Sequence, residues 1–400
     1  MKIVLIICIL GAPMLQAIMK NYYFLFIFFF GIFSAQKLRV VDAETETPVP
    51  NARIILSNQI VYTNEDGFAP VDQGASGFEI SASGFQNVKA AQFNSVIKLK
   101  RAYKDIEEVK MASIDLRKIF EDVSKNYKKR YYREPSLYDV VYKEKMSDND
   151  KLYFLTIAET KLWSKGNYYN YKDGFQKEYD NILQMQLNNV KYLKKIKSDN
   201  IFTTGTTEFS HEYMGNYFFN FELNRVLFHL KTKGTKSTGW MVFEEGDEQQ
   251  VVFKIKSGSG IDMKGEFKYN KADKVITYFE IHYLQENYPM VKRKTADGTE
   301  YDYQLGNALL VFDFYKNNGV YVPALNKLEG YNYIAVYKGV KHVKSMSREL
   351  IYNTFKKSDD KGLTPRVDFS KNIWENVPVE ESKNNTILLS EEEQTFVNGK

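Results

Sequence analysis

The residues able to do chemistry in this chain are few and scattered. A zinc peptidase needs a His and a Glu three residues apart plus a distant second His. None of His211, His229, His282 and His342 is followed by Glu at that spacing. His211-Glu212 opens like a zincin helix, but Gly215 stands where the second His belongs. Ser257-Gly258-Ser259-Gly260 reads as a flexible turn, and no Gly-x-Ser-x-Gly elbow surrounds any serine. Gly205 and Gly258-x-Gly260 lack the Gly-Lys-Ser/Thr that completes a phosphate loop. Asp66, Asp72 and Glu79 do not have the spacing of a calcium loop and read as solvated turn carboxylates. Among 50 acidic residues, a glycosidase pair is not assignable, because the fold sets the separation of its carboxylates. No catalytic, cofactor-binding or metal-ligating residue is therefore assigned, and the chain is expected not to be an enzyme.

The elements that would position any site begin behind an export signal. Two apolar runs, residues 3–18 and 22–33, are split by Met19-Lys20. The second has a cationic start, a short greasy core and then Ser34-Ala35-Gln36, the layout of a signal peptide over residues 1–35. Met19 is an alternative start. Cleavage after Ala35 leaves bulky Phe33 where a small residue is usual. Together the runs are long enough for an uncleaved anchor, but Pro13, Gln16 and Lys20 interrupt that span and favour cleavage. Cys8 is the only cysteine and falls in this segment, so the mature chain would hold no disulfide, thiolate metal site or cysteine nucleophile. The net charge of +5 is spread over interleaved Lys, Arg, Asp and Glu; without a basic stripe, nucleic acid is not an expected partner.

Residues 36–101 carry short β-rich segments at 38–40, 54–56, 60–62, 78–80 and 97–99. Pro48 and Pro50 lack the N–H that a central strand needs, so the stretch from Thr47 to Asn51 is a connection. Asn64-Glu65-Asp66-Gly67 predicts a tight turn with positive φ at Gly67. Several pieces of this stretch act as a set: Val40-x-Asp42, Pro48-Val49-Pro50-Asn51-Ala52-x-Ile54, Thr63-Asn64-x-x-Gly67-Phe68 and Ser83-Gly84-Phe85, with Ile106-Glu107-Glu108-Val109 after them. On these residues the region resembles the carboxypeptidase-like regulatory domain, a transthyretin-like β-sandwich of exported Gram-negative proteins. The resemblance implies an accessory module with no active site of its own, and a place in the periplasm, outer membrane or cell surface.

Residues 102–130 predict a linker and a helix from about Met111 to Lys129, with Ile114, Leu116, Ile119, Phe120, Val123 and Tyr127 on one stripe and Ser113 or Asp115 as cap. Residues 131–356 predict an antiparallel β-rich domain. Its strands include 151–163, hairpins over 264–283 and 309–328, and a meander through 331–337 to Tyr352. Residues 211–230 read as a short helix followed by a strand, and 176–196 fits either helix or strand. Residues 357–400, with charge runs at 357–361 and 391–393, predict an extended or partly mobile tail. Arg130-Tyr131-Tyr132-Arg133-Glu134, the hairpin from Gly265 to Asn270 and Trp374-Glu375-Asn376 are similar to the sheet-rich part that follows this module in related envelope proteins. That resemblance implies a wide half-barrel like the periplasmic lipoprotein carriers.

The expected architecture is thus mainly β: a transthyretin-like sandwich, a connecting helix and a large antiparallel domain. The expected role is that of a non-enzymatic, exported envelope protein with a structural or binding function, taking an envelope protein or a hydrophobic or glycan ligand as partner and no cofactor. A carrier of lipid in a half-barrel is the first alternative, and a hydrolase of unknown type the second. A carrier would show an apolar concavity; a hydrolase would show buried carboxylates converging in a cleft.

Overall fold

The computed structural model describes residues 36–56, 60–71, 77–102, 112–196, 211–295, 298–359, 361–369 and 388–399. The signal segment with Met19 and Cys8, Asp72, the 106–109 exit sequence and the 374–376 piece lie outside them. Among the described residues strand makes up 53% and helix 15%, which sets the class as mainly β with large antiparallel sheets, and no closed barrel is present among them.

Seven short strands form the N-terminal sandwich. They are β1 (Gln36–Asp42), β2 (Arg53–Ile55), β3 (Ile60–Tyr62), β4 (Phe68–Val71), β5 (Phe78–Ser81), β6 (Val88–Ala90) and β7 (Val96–Leu99). One sheet runs β4-β1-β7, the other β3-β2-β5-β6. Alternation puts Leu38, Val40, Ile54, Ala69, Ile80 and Leu99 in the space between them, all fully buried. The turn into β4 is the one expected from Asn64 to Gly67. The Asn64 side chain accepts from the Asp66 and Phe68 amides, and Gly67 has φ +76° with the Val40 carbonyl only 2.5 Å from where a Cβ would sit.

The chain then enters one large sheet through β8 (Ala112–Ser113) and leaves it for helix α1 (Leu116–Arg130). Asp115, one of the two expected caps, accepts from the Lys118 amide, and Lys128, Lys129 and Arg130 complement the dipole at the other end. Ile114, expected on the helical stripe, precedes the helix. Gly239 lets the helix start lie directly on the sheet: a Cβ there would stand 2.6 Å from Leu116.

Long antiparallel strands follow: β9 (Ser136–Asp148), β10 (Lys151–Ser164), β11 (Leu183–Lys195), β12 (Lys236–Glu245), β13 (Glu248–Lys256), β14 (Asp262–Asn270) and β15 (Val275–Leu284). The hairpin β16 (Val291–Lys294) and β17 (Glu300–Gln304) precedes β18 (Asn307–Asn317), β19 (Val320–Tyr337), β20 (Val340–Tyr352) and β21 (Lys356–Lys357). The main path is β11-β10-β9-β20-β19-β18-β15-β14-β13-β12-β8, with β17 joined to β19 and β21 to β9.

Two expectations change and one open alternative is resolved. Residues 211–230 hold two helices, α3 (His211–Gly215) and α4 (Phe219–Lys231), instead of a helix and a strand. Nearly every side of α4 is buried, so it lacks the clear stripe that marks a surface helix. Residues 183–195 within the ambiguous stretch are strand. In the tail, α5 (Glu391–Asn398) is a helix closed by a reciprocal capping box between Ser390 and Glu393; the expectation of an extended tail fails there because this cap and long-range ion pairs hold the segment. A short helix α2 (Tyr171–Phe175) also joins the helical layer; numbered in chain order, it lies between β10 and β11.

The sheet is covered on both faces. On one, Phe120 of α1 sits edge-on to Phe267 and Phe279, at 5.5 and 5.9 Å between ring centroids, and Phe219 of α4 packs on Phe279, Phe312 and Phe314. Tyr131, just after α1, both donates to the Ile276 carbonyl and accepts from the Ile276 amide. It thereby holds β15 next to the bulge that shifts its register with β14. On the other face, Ile60 and Tyr62 of the sandwich pack on Val311, Ala324 and Leu325.

Candidate functional site

Two polar groups stand inside this otherwise apolar packing, one on each face. In an antiparallel ladder, directly opposed residues share a face, so each group can be followed across the strands.

On the helix face, one row runs Thr156, Glu144, Arg348, Leu328, Leu310 across β10, β9, β20, β19 and β18. Arg348 is 0% exposed. Its guanidinium lies under the rings of Tyr217, at 3.8 Å, and Tyr213, at 4.7 Å. None of its three side-chain nitrogens has an acceptor in bonding geometry. Glu144, its neighbour in the ladder, accepts instead from the Tyr142 hydroxyl at 2.5 Å. Burial pushes the Glu144 carboxyl up, and the Tyr142 hydrogen bond and the Arg348 charge offset this only in part. The Thr156 hydroxyl, 1% exposed as a residue, also lacks a partner.

On the sandwich face, the next row reads Lys143, Glu349, Lys327, Val311, Glu280, Glu266, Val252. Lys327 pairs with Glu349 at 3.1 Å, and Lys143 reaches Glu393 of α5 at 2.5 Å and Glu65 of the sandwich turn at 3.5 Å. Lys145 holds Glu65 more closely, at 2.8 Å. Against burial, which would raise it, Lys143 and Lys145 hold the Glu65 carboxyl at about 2. Beside this row, Asp313 takes an ion pair from Arg53 and a 2.9 Å hydrogen bond from Tyr62, while Lys268 donates to Ser81 and Asn87. Sandwich, sheet and tail helix meet through these charges.

Glu266 and Glu280 are the pair a hydrolase reading would seek. Burial first, and the opposing Glu280 second, push the Glu266 carboxyl up to about 7. Burial would raise Glu280 as well, but hydrogen bonds from His282 and Tyr278 outweigh it and bring Glu280 below its usual value. Carboxyls shifted in opposite directions are the pattern of an acid–base pair, but both Glu280 oxygens are engaged by Tyr278 and His282 and not by Glu266. Glu266 is only 9% exposed and its Oε1 is sealed without a partner. A substrate therefore has no path to that oxygen in this conformation.

The histidines remain scattered. His229 Nδ1 lies 3.0 Å from Ser257 Oγ and 3.4 Å from Ser259 Oγ, and no carboxylate orients the ring among the described residues. Burial, then Arg225, pushes its pKa down. With Thr235 bonded to the His229 carbonyl and the Gly258 amide, this contact fastens the end of α4 to the turn between β13 and β14. His282 bonds Glu280, and His342 bonds Asp148, at 3.0 and 2.9 Å. The side chain of His211 lies outside the described residues. Among the described residues no three metal-ligating side chains converge, and no helix is long and apolar enough to cross a membrane.

Sequence reasoning missed Arg348, Glu144 and Glu266. A sign was available: Glu144 follows Tyr138, Val140 and Tyr142 at inward-facing positions of β9, and Arg348 precedes Leu350 and Tyr352 at those of β20. A charge on the buried parity of a strand marks a position that something must satisfy.

No family model matches the chain, and no curated protein matches it. Among solved structures it is similar to a candidate membrane-associated protein of unknown function from Bacteroides fragilis, at 9% identity over 80% of this chain and 98% of that one. The TM-score is 0.13, too low to support an argument about fold or function.

Proposed function

We propose that this chain is an exported, non-enzymatic envelope protein with a structural or binding role, working in the periplasm, at the outer membrane or on the cell surface. The observation that carries this reading is that the large sheet has both faces occupied by the chain itself. Helices α1 and α4 cover the face that a half-barrel would offer to cargo. The sandwich covers the other face through Arg53, Tyr62 and Lys268. The cavity left beneath α4, lined by Tyr127, Phe218, Phe314, Asn326 and Tyr352 among others, measures about 20 Å³. That is room for about one water molecule. A molecule closed in this way presents surfaces to an envelope partner; an acyl chain in its interior would have to displace Phe219 and its neighbours.

The test is organic extraction of the purified mature protein followed by mass spectrometry, beside peptidase, esterase and glycosidase screens. The scaffold reading expects no stoichiometric lipid and only background turnover. Stoichiometric lipid released on denaturation would replace it with the carrier. Turnover abolished by Glu266→Gln or Glu280→Gln would replace it with the hydrolase.

A further inference from the structure

A strand at the end of a sheet carries backbone donors and acceptors with no neighbour to take them, and such an edge accepts another strand unless something guards it. Strand β16 is an edge of this kind. Among the described residues it pairs with β17 alone, and all four of its residues are exposed. Its register sets Val291 opposite Tyr303, Lys292 opposite Asp302, Arg293 opposite Tyr301 and Lys294 opposite Glu300. One step further on, the Thr295 amide donates to the Thr299 carbonyl at 2.9 Å. Opposed residues in an antiparallel ladder alternate between bonded and non-bonded pairs, so counting back from Thr295 makes Arg293 and Val291 the residues that bond inward to β17. The amides and carbonyls of Lys292 and Lys294 therefore point outward, where no backbone partner takes them among the described residues.

We propose that the outer edge of β16 is the docking site for an extended, acidic segment of a partner protein. This deepens the binding role proposed above and rests on that reading only for the existence of a partner. An added strand satisfies the outward backbone groups of Lys292 and Lys294. Their side chains share one face, two residues apart, so acidic residues at alternate positions of the incoming strand stand directly opposite them. Asp302 and Glu300 pair with the same lysines from within the hairpin, at 3.0 and 3.5 Å, but the lysine side chains are 72% and 67% exposed. Exposed pairs of this kind hold weakly and leave the ammonium groups open to a second carboxylate. Arg293, between them on the opposite face, lies over the Tyr303 ring at 4.0 Å. Exposed Met290 and Val291 add apolar contact at one end of the edge. A second copy fits this edge badly, because pairing β16 with itself sets lysine against lysine, and like charges directly opposed destabilise a ladder. The three cations thus guard the edge against the chain itself and favour an acidic strand.

The probe is a fluorescein-labelled peptide, Thr-Glu-Val-Glu-Val-Thr, titrated with the full mature chain and followed by fluorescence anisotropy. The expected result is saturable binding that weakens as salt is raised. Two control peptides separate charge from strand pairing: one with lysine in place of both glutamates, and one N-methylated at both glutamates, which keeps the charge but loses the ladder donors. Each should bind roughly tenfold more weakly or worse. Lys292→Glu combined with Lys294→Glu changes only exposed side chains and should reverse the preference toward the lysine peptide. Absence of saturable binding of the glutamate peptide by the unmodified chain overturns the proposal, and this arm needs no variant to fold. Equal binding of the N-methylated peptide overturns it as well, because charge alone would then suffice. A dimer of the unmodified chain that the peptide dissociates would give the edge to a second copy and likewise overturn it. Stoichiometric lipid or enzymatic turnover would strike the proposed function and leave these titrations unchanged.

Discussion

At the scale of single residues, the charges between sandwich and sheet decide how the molecule responds to pH and to substitution. Glu266 has a folded pKa of about 7 against 4.5 for the free side chain. Because the folded value is raised, the stability linked to its proton is complete below about pH 4.5 and is lost as pH rises through about 7. Glu266→Gln should therefore match the unmodified protein at pH 5 and exceed it at pH 8.5, by up to about 3 kcal/mol. Urea midpoints at the two pH values check this; an equal effect at both would assign the change to packing. Asp313→Ala removes the one ion-pair partner of buried Arg53 among the described residues. It should cost about 3–5 kcal/mol, because the loss strands a charge away from water. Replacing both Arg53 and Asp313 with apolar residues should recover much of that loss in the same urea experiment.

At the scale of elements, alternation and helical stripes made most of the fold legible. The strands within 151–164, 262–284 and 307–337 are rich in β-branched and aromatic residues, and the hairpins within the last two ranges turn through Asn-Lys-Ala-Asp and Asn-Asn-Gly. Helix α4 was not legible, because burial on nearly all sides erases the period that a sequence reading depends on. Nor was α5, whose Ser390-x-x-Glu393 box is plain but whose docking depends on Lys143, Lys145 and Asp66, hundreds of residues away. The polar row at Arg348 was illegible for the same reason. Parity along β9 and β20 shows inward charges, but only the register between the strands brings Glu144 beside Arg348. Two substitutions test the element assignments. Phe120→Ala empties the edge-on contacts of α1 with Phe253, Phe267 and Phe279, and should cost about 3–5 kcal/mol by chemical denaturation. Gly67→Val places a β-branched residue at φ +76° against the Val40 carbonyl, and should cost about 1 kcal/mol or more. An unchanged midpoint for Gly67→Val would show that the turn adopts another conformation in solution.

At the scale of the whole molecule, sandwich, sheet and tail helix are joined by buried ion pairs and apolar contacts, and chain segments pack on both faces of the sheet. A sandwich of about 65 residues has too small a core to be robust alone, so its attachment through Arg53, Tyr62, Lys268 and Glu65 should couple its unfolding to that of the sheet. A carrier or a hinged two-domain enzyme needs the opposite, a part that opens while the rest stays folded. Differential scanning calorimetry of the mature chain at pH 6 separates the two most directly. The account predicts one transition whose calorimetric and van't Hoff enthalpies agree; Asp313→Ala should split it by releasing the sandwich. Two resolved transitions in the unmodified protein would contradict it.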